Sequence, residues 1–321
     1  ADGSLDFALA GTDSLYALLG EALRRRLDGG LPGLTLLSCD NLADNGHQLE
    51  RLMGEYLERH DPALRRWFEA ECACPSTMVD RIVPATTDAD RVELAGRLGL
   101  EDRAAVMTEP FSQWVIEDRL AGDRPRWENV GAELVGDVRP YETAKLRMLN
   151  GAHSLLAYCG LSRGHDFVHQ AIADPPVRAW VESLMRDEAA PTIAAAPGQD
   201  LARYGTDLIA RFANPALNHR LSQIAMDGSQ KIPQRWLETL ADNQAQGRQC
   251  PAILAGIAAW VEHLRGANGT VDDPMAQVLA SAAGATNPVA ALFGDGGLMA
   301  STWQPSPADR DRIGAGPWRE L

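Results

Sequence analysis

Residues 140–154, P-Y-E-T-A-K-L-R-M-L-N-G-A-H-S, constrain the fold of this chain more than any other stretch. A proline followed by a long apolar-periodic run predicts a helix start. At about 100° per residue, measured from Lys145, Glu142 falls at about 60°, His153 at about 80° and Asn150 at about 140°. Leu146, Leu149 and Leu156 share that arc. A carboxylate, an amine, an amide and an imidazole therefore stand among leucines that should face a core. Polar groups on a buried face cost free energy unless they are partnered. The periodicity leaves two readings: an active-site wall, or a Glu142–Lys145 surface pair with His153 satisfied inside the core.

The 321 residues leave room for about two domains on either side of this helix. Residues 13–27 open with N-cap residues and end in three arginines, which suits a helix with its macrodipole. Gly29-Gly30 stops it, and residues 34–38, L-T-L-L-S, then read as a buried strand with a polar tip at Cys39-Asp40-Asn41. Asn45-Gly46 signals a turn. This is one unit of an α/β sheet, in which ligands gather at the carboxyl ends of strands, and Asn41 stands at such an end. Residues 46–71 read as a pair of amphipathic helices. Residues 78–83, 113–117 and 133–138 have strand composition, so a β-rich section is expected from 78 to 138. After Pro140 helical periods take over, at 177–189, 200–212 and 251–264. The expected division is an α/β portion over 1–138 and a mostly α-helical domain over 139–321. The Pro- and Gly-rich tail from Gln304 is expected to fray.

Thirty basic against 44 acidic residues, a net charge of −14, argue against a nucleic-acid or anionic-membrane surface. No apolar run approaches the length of a membrane-spanning helix, and the first residues lack a signal-peptide pattern, so a cytoplasmic protein is expected. The five cysteines show no CxxC spacing and the seven histidines no HExxH, so neither disulfide nor metal is expected. GxSxG, Walker and strand–GxGxxG patterns are missing as well.

What chemistry remains lies on the Lys145 face. A lysine desolvated among leucines is pushed toward a working pKa and can act as a general base. An amide such as Asn150 can hydrogen-bond a developing oxyanion, and His153 can orient a substrate hydroxyl. These suit removal of a proton from an alcohol as hydride leaves its carbon. Asn41 is either a second amide donor or a cap. Asp80 is either a pocket residue or the partner of Arg81. Lys231 sits on a turn, where lysines are usually solvated. Trp180, Tyr204 and Trp260, at helical spacing, are core residues.

Five segments in order then carry a resemblance: S-C-D-N-L with Asn45-Gly46 at 38–46, M-V-D-R-I-V-P-A-T at 78–86, Q-W-V-I-E-D at 113–118, K-L-R-M-L-N-G-A-H-S at 145–154, and K-I-P-Q-R at 231–235. The chain resembles the mannitol dehydrogenase family, the long-chain polyol and hexuronate dehydrogenases, over essentially its whole length. The resemblance implies a Rossmann-type nucleotide-binding domain followed by a helical substrate domain. It also implies zinc-independent hydride transfer between NAD and a sugar carbon. It makes Lys145 the general base, His153 the substrate orienter, Asn150 and Asn41 the amides on the reacting oxygen, and Glu142 an acid in proton passage. Asp80 and Lys231 match pocket residues, Arg220 is a further candidate for a substrate carboxylate, and Ser38 and Asp40 fall beside the cofactor. The Gly-rich loop that opens the family's nucleotide domain is not in this sequence, nor is the residue that separates NAD from NADP. The chain therefore reads as lacking the first part of that domain and as holding NAD poorly. The favoured substrate pair is D-fructuronate/D-mannonate, with D-mannitol/D-fructose as the alternative. The competing class is a non-catalytic, truncated ligand-binding module. The expected partner is a small sugar acid or polyol, and the expected state a monomer.

Overall fold

The computed structural model describes residues 3–299 and 301–317. The chain gathers into two compact units, Ala1–Arg81 with Ser112–Glu142, and Ile82–Phe111 with Thr143–Leu321. The section expected to be β-rich is thus divided. Residues Ile82–Phe111 group with the second unit and carry a helix rather than strands.

Local capping sets the helices of the first unit. Ser14 Oγ accepts from the Ala17 N–H at 3.2 Å and opens α1 (Leu15–Asp28). Asp61 accepts from the Leu64 N–H at 3.1 Å and separates α2 (Asn45–His60) from α3 (Pro62–Glu71), where Pro62 enters at the tolerated first turn. The three helices bury Leu23, Met53, Leu57, Leu64 and Phe68 in one cluster. Each such side chain contributes about 1.5–3 kcal/mol. A three-stranded sheet completes the unit, in the order β1 (Thr77–Asp80), β2 (Gln113–Glu117), β3 (Ala132–Val135). β1 and β2 are antiparallel, with Asp80 opposite Gln113. β2 and β3 are parallel, with Trp114 opposite Ala132.

The strand expected over 34–38 is reduced to a single parallel bridge. Leu36 N–H donates to the Ala73 carbonyl at 2.8 Å, and Ala73 N–H to the Leu34 carbonyl at 3.2 Å. Leu34 and Leu36 pack on the helical cluster instead. Among the described residues no second strand flanks them, so the apolar run is used by helix packing and not by a ladder.

In the second unit, α4 (Asp88–Leu98) opens with a Thr87/Asp90 capping box. The helix begun at Arg139, whose residues 139–142 group with the first unit, runs as α5 (Arg139–Ala144), a π-helical turn Lys145–Asn150, and α6 (Gly151–Ser162). There follow α7 (Val168–Ala173), α8 (Pro175–Ser183) with a π turn Leu184–Ala189, and α9 (Leu201–Phe212). Next come α10 (Leu221–Ala225) and α11 (Gly228–Ile232), then a π turn Pro233–Leu237 that leads into α12 (Glu238–Ala245). α13 (Pro251–Leu264), α14 (Ala276–Ala283), α15 (Pro288–Leu292) and α16 (Pro307–Ala315) close the unit. α6 and α13 form its centre and pack on each other. Every residue from Gly151 to Gly160 is buried, as is all of α13 but its first residue and Glu262. A helix that is apolar all round has to be enclosed in this way.

α13 begins C-P-A-I, which offers no cap of its own. Glu188, buried in the second π turn, supplies one: its carboxylate accepts from Ala252 N–H at 2.6 Å and Ile253 N–H at 2.9 Å. Burial pushes this carboxyl up to about 7. The tail also differs from expectation. Ser306 and Asp309 form a capping box that starts α16, so the segment after Gln304 carries a helix over Pro307–Ala315. Residues 318–321 lie outside the described residues.

Candidate functional site

In the first unit, the loop carrying Ser38, Asp40 and Asn41 is organised by Asn45. This side chain is 2% exposed, and its Nδ2 donates to the carbonyls of Ser38, Asp40 and Thr77 at 3.3, 2.8 and 3.0 Å. Its Oδ1 accepts from Thr77 N–H at 2.9 Å. One buried amide thus ties the loop to β1. Gly46 is required beside it, since a Cβ there would stand 2.2 Å from the Pro75 carbonyl oxygen. Asn41 and Asp40 are exposed, Ser38 is half-buried, and Asp80, at the end of β1, is 1% exposed. Glu142 accepts from the Asp44 N–H at 3.2 and 3.4 Å. Asp44 holds a left-handed backbone, φ 55°, which an aspartate tolerates better than most residues.

In the second unit, Lys145 and Asn150 are the first and last residues of the first π turn, and both are half-buried. A π turn takes one residue more than an α turn. Residues beyond it are set back by about 100°, so His153 moves from about 80° to within about 20° of Lys145 on the wheel. The uniform helical wheel therefore needs correction, and the polar arc is narrower than the sequence implies. The π turn Pro233–Leu237 meets the first one. Arg235 Nη1 donates to the Asn150 carbonyl at 3.3 Å and to Ser154 Oγ at 2.9 Å, and Trp236 Nε1 donates to the Gly151 carbonyl at 3.1 Å. Pro233, which has no N–H to give, stands where the Pro233–Leu237 turn departs from α geometry.

His153 is 6% exposed, and its Nε2 has no hydrogen-bond partner among the described residues. Its ring lies 5.3 Å from the His219 ring, edge to face, and 4.8 Å from Phe212. Burial holds His153 well below the usual histidine range, with His219, Arg235 and Arg211 acting in the same direction. His219 is half-buried and is pulled down to about 4, by burial first and then by Lys231. Both imidazoles are neutral at pH 7. Lys231 is not solvated on a turn: it sits in α11, and its Nζ donates to the Met226 and Ile224 carbonyls at 2.5 and 3.3 Å. Burial lowers its pKa.

A folded-state pKa near 4 for His219, against about 6.5 unfolded, means that the unfolded chain binds the extra proton as the pH falls through that window. His219 therefore stabilises the protein above pH 6.5, and on the order of 3 kcal/mol is lost by about pH 4. Glu188, raised to about 7, has the opposite sign and loses stability as the pH rises from about 4.5 to 7. Comparing wild type with His219→Gln cancels the Glu188 contribution. The variant should show the smaller acid-induced fall in urea midpoint between pH 7 and pH 4.5; equal falls would exclude His219.

Of the residues singled out from sequence, Lys145, Asn150, His153 and Lys231 belong to the second unit, and Ser38, Asp40, Asn41, Asp80 and Glu142 to the first. Arg220 lies elsewhere in the second unit. It is exposed, its guanidinium stands 5.0 Å over the Phe167 ring, and the cavity it lines, about 260 Å³, includes none of Lys145, His153 and Lys231. Sequence reasoning missed His219, Arg235 and Asn45. Arg235 falls four residues after Lys231, a helical spacing that the turn-like D-G-S-Q-K-I-P conceals.

A family model for the mannitol dehydrogenase Rossmann domain matches residues 9–129, and one for the mannitol dehydrogenase C-terminal domain matches residues 137–294. The chain belongs to the mannitol dehydrogenase family. It is 42% identical over 311 residues to a D-mannonate oxidoreductase of Escherichia coli, covering 94% of this chain and 63% of the relative. A mannitol 2-dehydrogenase of Aspergillus terreus is 37% identical over 295 residues, covering 87% and 59%. Among solved structures, the Pseudomonas fluorescens mannitol 2-dehydrogenase ternary complex with NAD and D-mannitol superposes with a TM-score of 0.76 at 32% identity, covering 95% of this chain and 62% of that one. A substrate-free D-sorbitol dehydrogenase gives 0.81 at 30% identity, covering 94% and 63%. The chain thus spans between half and two thirds of the length of these relatives.

As a member of this family the chain combines a Rossmann-type domain with a helical C-terminal domain. Gly46 stands in the first turn of α2, but its free side is filled by the Pro75 carbonyl, so it makes no pyrophosphate cradle. Among the described residues no group of three or more His, Cys, Asp or Glu is placed to hold a metal ion, and no helix is long and apolar enough to cross a membrane.

Proposed function

We propose that this protein is an NAD-dependent oxidoreductase that moves hydride to and from the keto/hydroxyl carbon of a hexuronate, with D-fructuronate/D-mannonate as the favoured pair. The observation that carries the reading is the junction of π turn and α6. There an amine and an amide flank one turn, and a buried neutral imidazole with an unpartnered Nε2 follows. The likeness to a D-mannonate oxidoreductase over 94% of the chain supports the sugar-acid substrate. The ternary complex with NAD and D-mannitol supports the nucleotide and keeps mannitol/fructose as the second reading.

Bound NAD would accept or return the hydride. In oxidation, the unprotonated Lys145 amine takes the hydroxyl proton as hydride leaves the same carbon. In reduction, the Lys145 ammonium returns that proton to the oxygen as hydride arrives. The Asn150 amide donates to the oxygen while charge builds on it. His153, held neutral by burial, offers Nε2 to a substrate hydroxyl. Sequence resemblance adds Asn41, Asp80 and Glu142 to this set. NADH oxidation with D-fructuronate and with D-fructose tests the substrate. Fructuronate should win by at least about 10-fold in kcat/KM. Equal or greater turnover of fructose sinks the choice.

A further inference from the structure

Lys231 and Arg235 are four residues apart at the start of the Pro233–Leu237 turn, and both are half-buried. Among the described residues neither has a carboxylate at ion-pair distance. This is unusual in a chain with 44 acidic residues. Two other partly or fully buried arginines of the same unit are paired: Arg147 with Asp242 at 2.6 Å and Arg211 with Glu109 at 2.7 Å. The nearest acids do not fill the gap. Asp273 is engaged by Ser229, whose N–H and Oγ both reach it at 2.7 Å. Asp227 and Asp273 oppose the lowering of the Lys231 pKa, but burial and Arg235 outweigh them. The other titratable groups in electrostatic reach, His153, His219 and Tyr158, carry no negative charge at pH 7. Two desolvated cations without an acid are costly unless an anion arrives from outside.

The geometry of Arg235 says which kind. Its Nη1 is committed to Ser154 Oγ and the Asn150 carbonyl, which fixes the plane of the guanidinium. Nε and Nη2 have no partner among the described residues. They form the side edge of the fork, whose two parallel N–H groups match the two oxygens of a carboxylate. The same Nη1 bond anchors this edge to Asn150, the amide placed above on the reacting oxygen.

We propose that the Nε–Nη2 edge of Arg235, with Lys231 beside it, binds the carboxylate of the substrate and makes the protein select a sugar acid over a neutral polyol. This rests on the hexuronate reading above. It assigns the carboxylate to Arg235 in place of Arg220, which stacks on Phe167.

The test is steady-state kinetics of the NAD-supplied protein, wild type against Arg235→Gln and Arg235→Lys. D-fructuronate is the substrate, and D-fructose or D-mannitol serves as neutral substrate or inhibitor. Arg235→Gln should raise the KM for fructuronate about 100-fold, with kcat within about 3-fold. Arg235→Lys, which keeps the charge but not the fork, should recover about 10-fold of that loss. The KM for NADH should stay within about 2-fold, because the cofactor does not use this edge, and any loss on the neutral sugars, which reports the lost Nη1 clasp on Asn150, should stay at least about 10-fold smaller than the loss on fructuronate. Equal losses on acid and neutral sugars would make Arg235 only a clasp on Asn150 and overturn the proposal. So would a rise in the KM for NADH, or no change at all. If Arg235→Gln does not fold, the KM of Arg235→Lys decides alone, and a wild-type value for fructuronate overturns the proposal. If wild type shows no preference for fructuronate, the hexuronate reading itself fails, and the carboxylate site fails with it.

Discussion

Lys145→Ala should lower kcat in the oxidation direction by at least about 1,000-fold at neutral pH, because no other amine is placed on this turn to take the proton. The loss should be confined to chemistry. Lys145 is half-buried at the start of the π turn, whose apolar contacts come from Met148 and Leu149, so the urea midpoint should shift by less than the equivalent of about 1 kcal/mol. Wild-type kcat/KM for the alcohol should rise with pH until the lysine is deprotonated, and the variant should lose that limb. A variant with a near-normal rate, or one that keeps the same rising limb, would remove Lys145 from the role of base. The His153→Ala variant does not share this signature: its imidazole is already neutral, so its loss should not move the alkaline limb.

Glu109→Ala should cost about 3–5 kcal/mol in urea unfolding. Glu109 is 2% exposed. Its carboxylate accepts from Arg211 Nη2 at 2.7 Å, from Arg211 Nε at 3.0 Å and from the Ile82 N–H at 2.6 Å. The Arg211 guanidinium also lies 4.0 Å over Phe111. Removing the carboxylate strands a cation that is 8% exposed and a buried N–H. The pair fastens residues Ile82–Phe111 to α9, so their amide protons should exchange faster in the variant. Replacing both partners by apolar groups, Glu109→Ala with Arg211→Met, should be less damaging than the single change. A single-variant loss below about 1 kcal/mol, or a double variant worse than the sum, would show that the pair does not anchor the segment.

Much of this architecture is legible in the chain itself because its signals are local. α13 is marked by an unbroken apolar run after Pro251, α3 by Asp61-Pro62 and β2 by Q-W-V-I-E, and these elements lie where the pattern puts them. Capping is local too, and S-P-A-D at 306–309 should have announced α16; reading the tail only for its prolines and glycines hid it. Residues 34–38 misled for the opposite reason. An apolar run of that length is shared by a buried strand and a segment packed on helices, and only the neighbours decide between them.

By itself, the sequence determined the family, the helical character of everything after Pro140, and the presence of Lys145, Asn150 and His153 on one apolar face, since each rests on residue type and short spacing. Tertiary structure alone decided the rest. The π turn at Lys145–Asn150 has no signature in a uniform helical period, and two donors 85 residues away, on Arg235 and Trp236, reach its last carbonyl and the one that follows. The cap of α13 comes from Glu188, 64 residues before it. What sets Arg235 apart from an ordinary surface arginine, half-burial with no carboxylate at ion-pair distance among the described residues, is fixed by packing. Partners distant in the chain leave no trace in local pattern, and whether a buried charge is paired or waiting for a ligand is a property of the packed molecule.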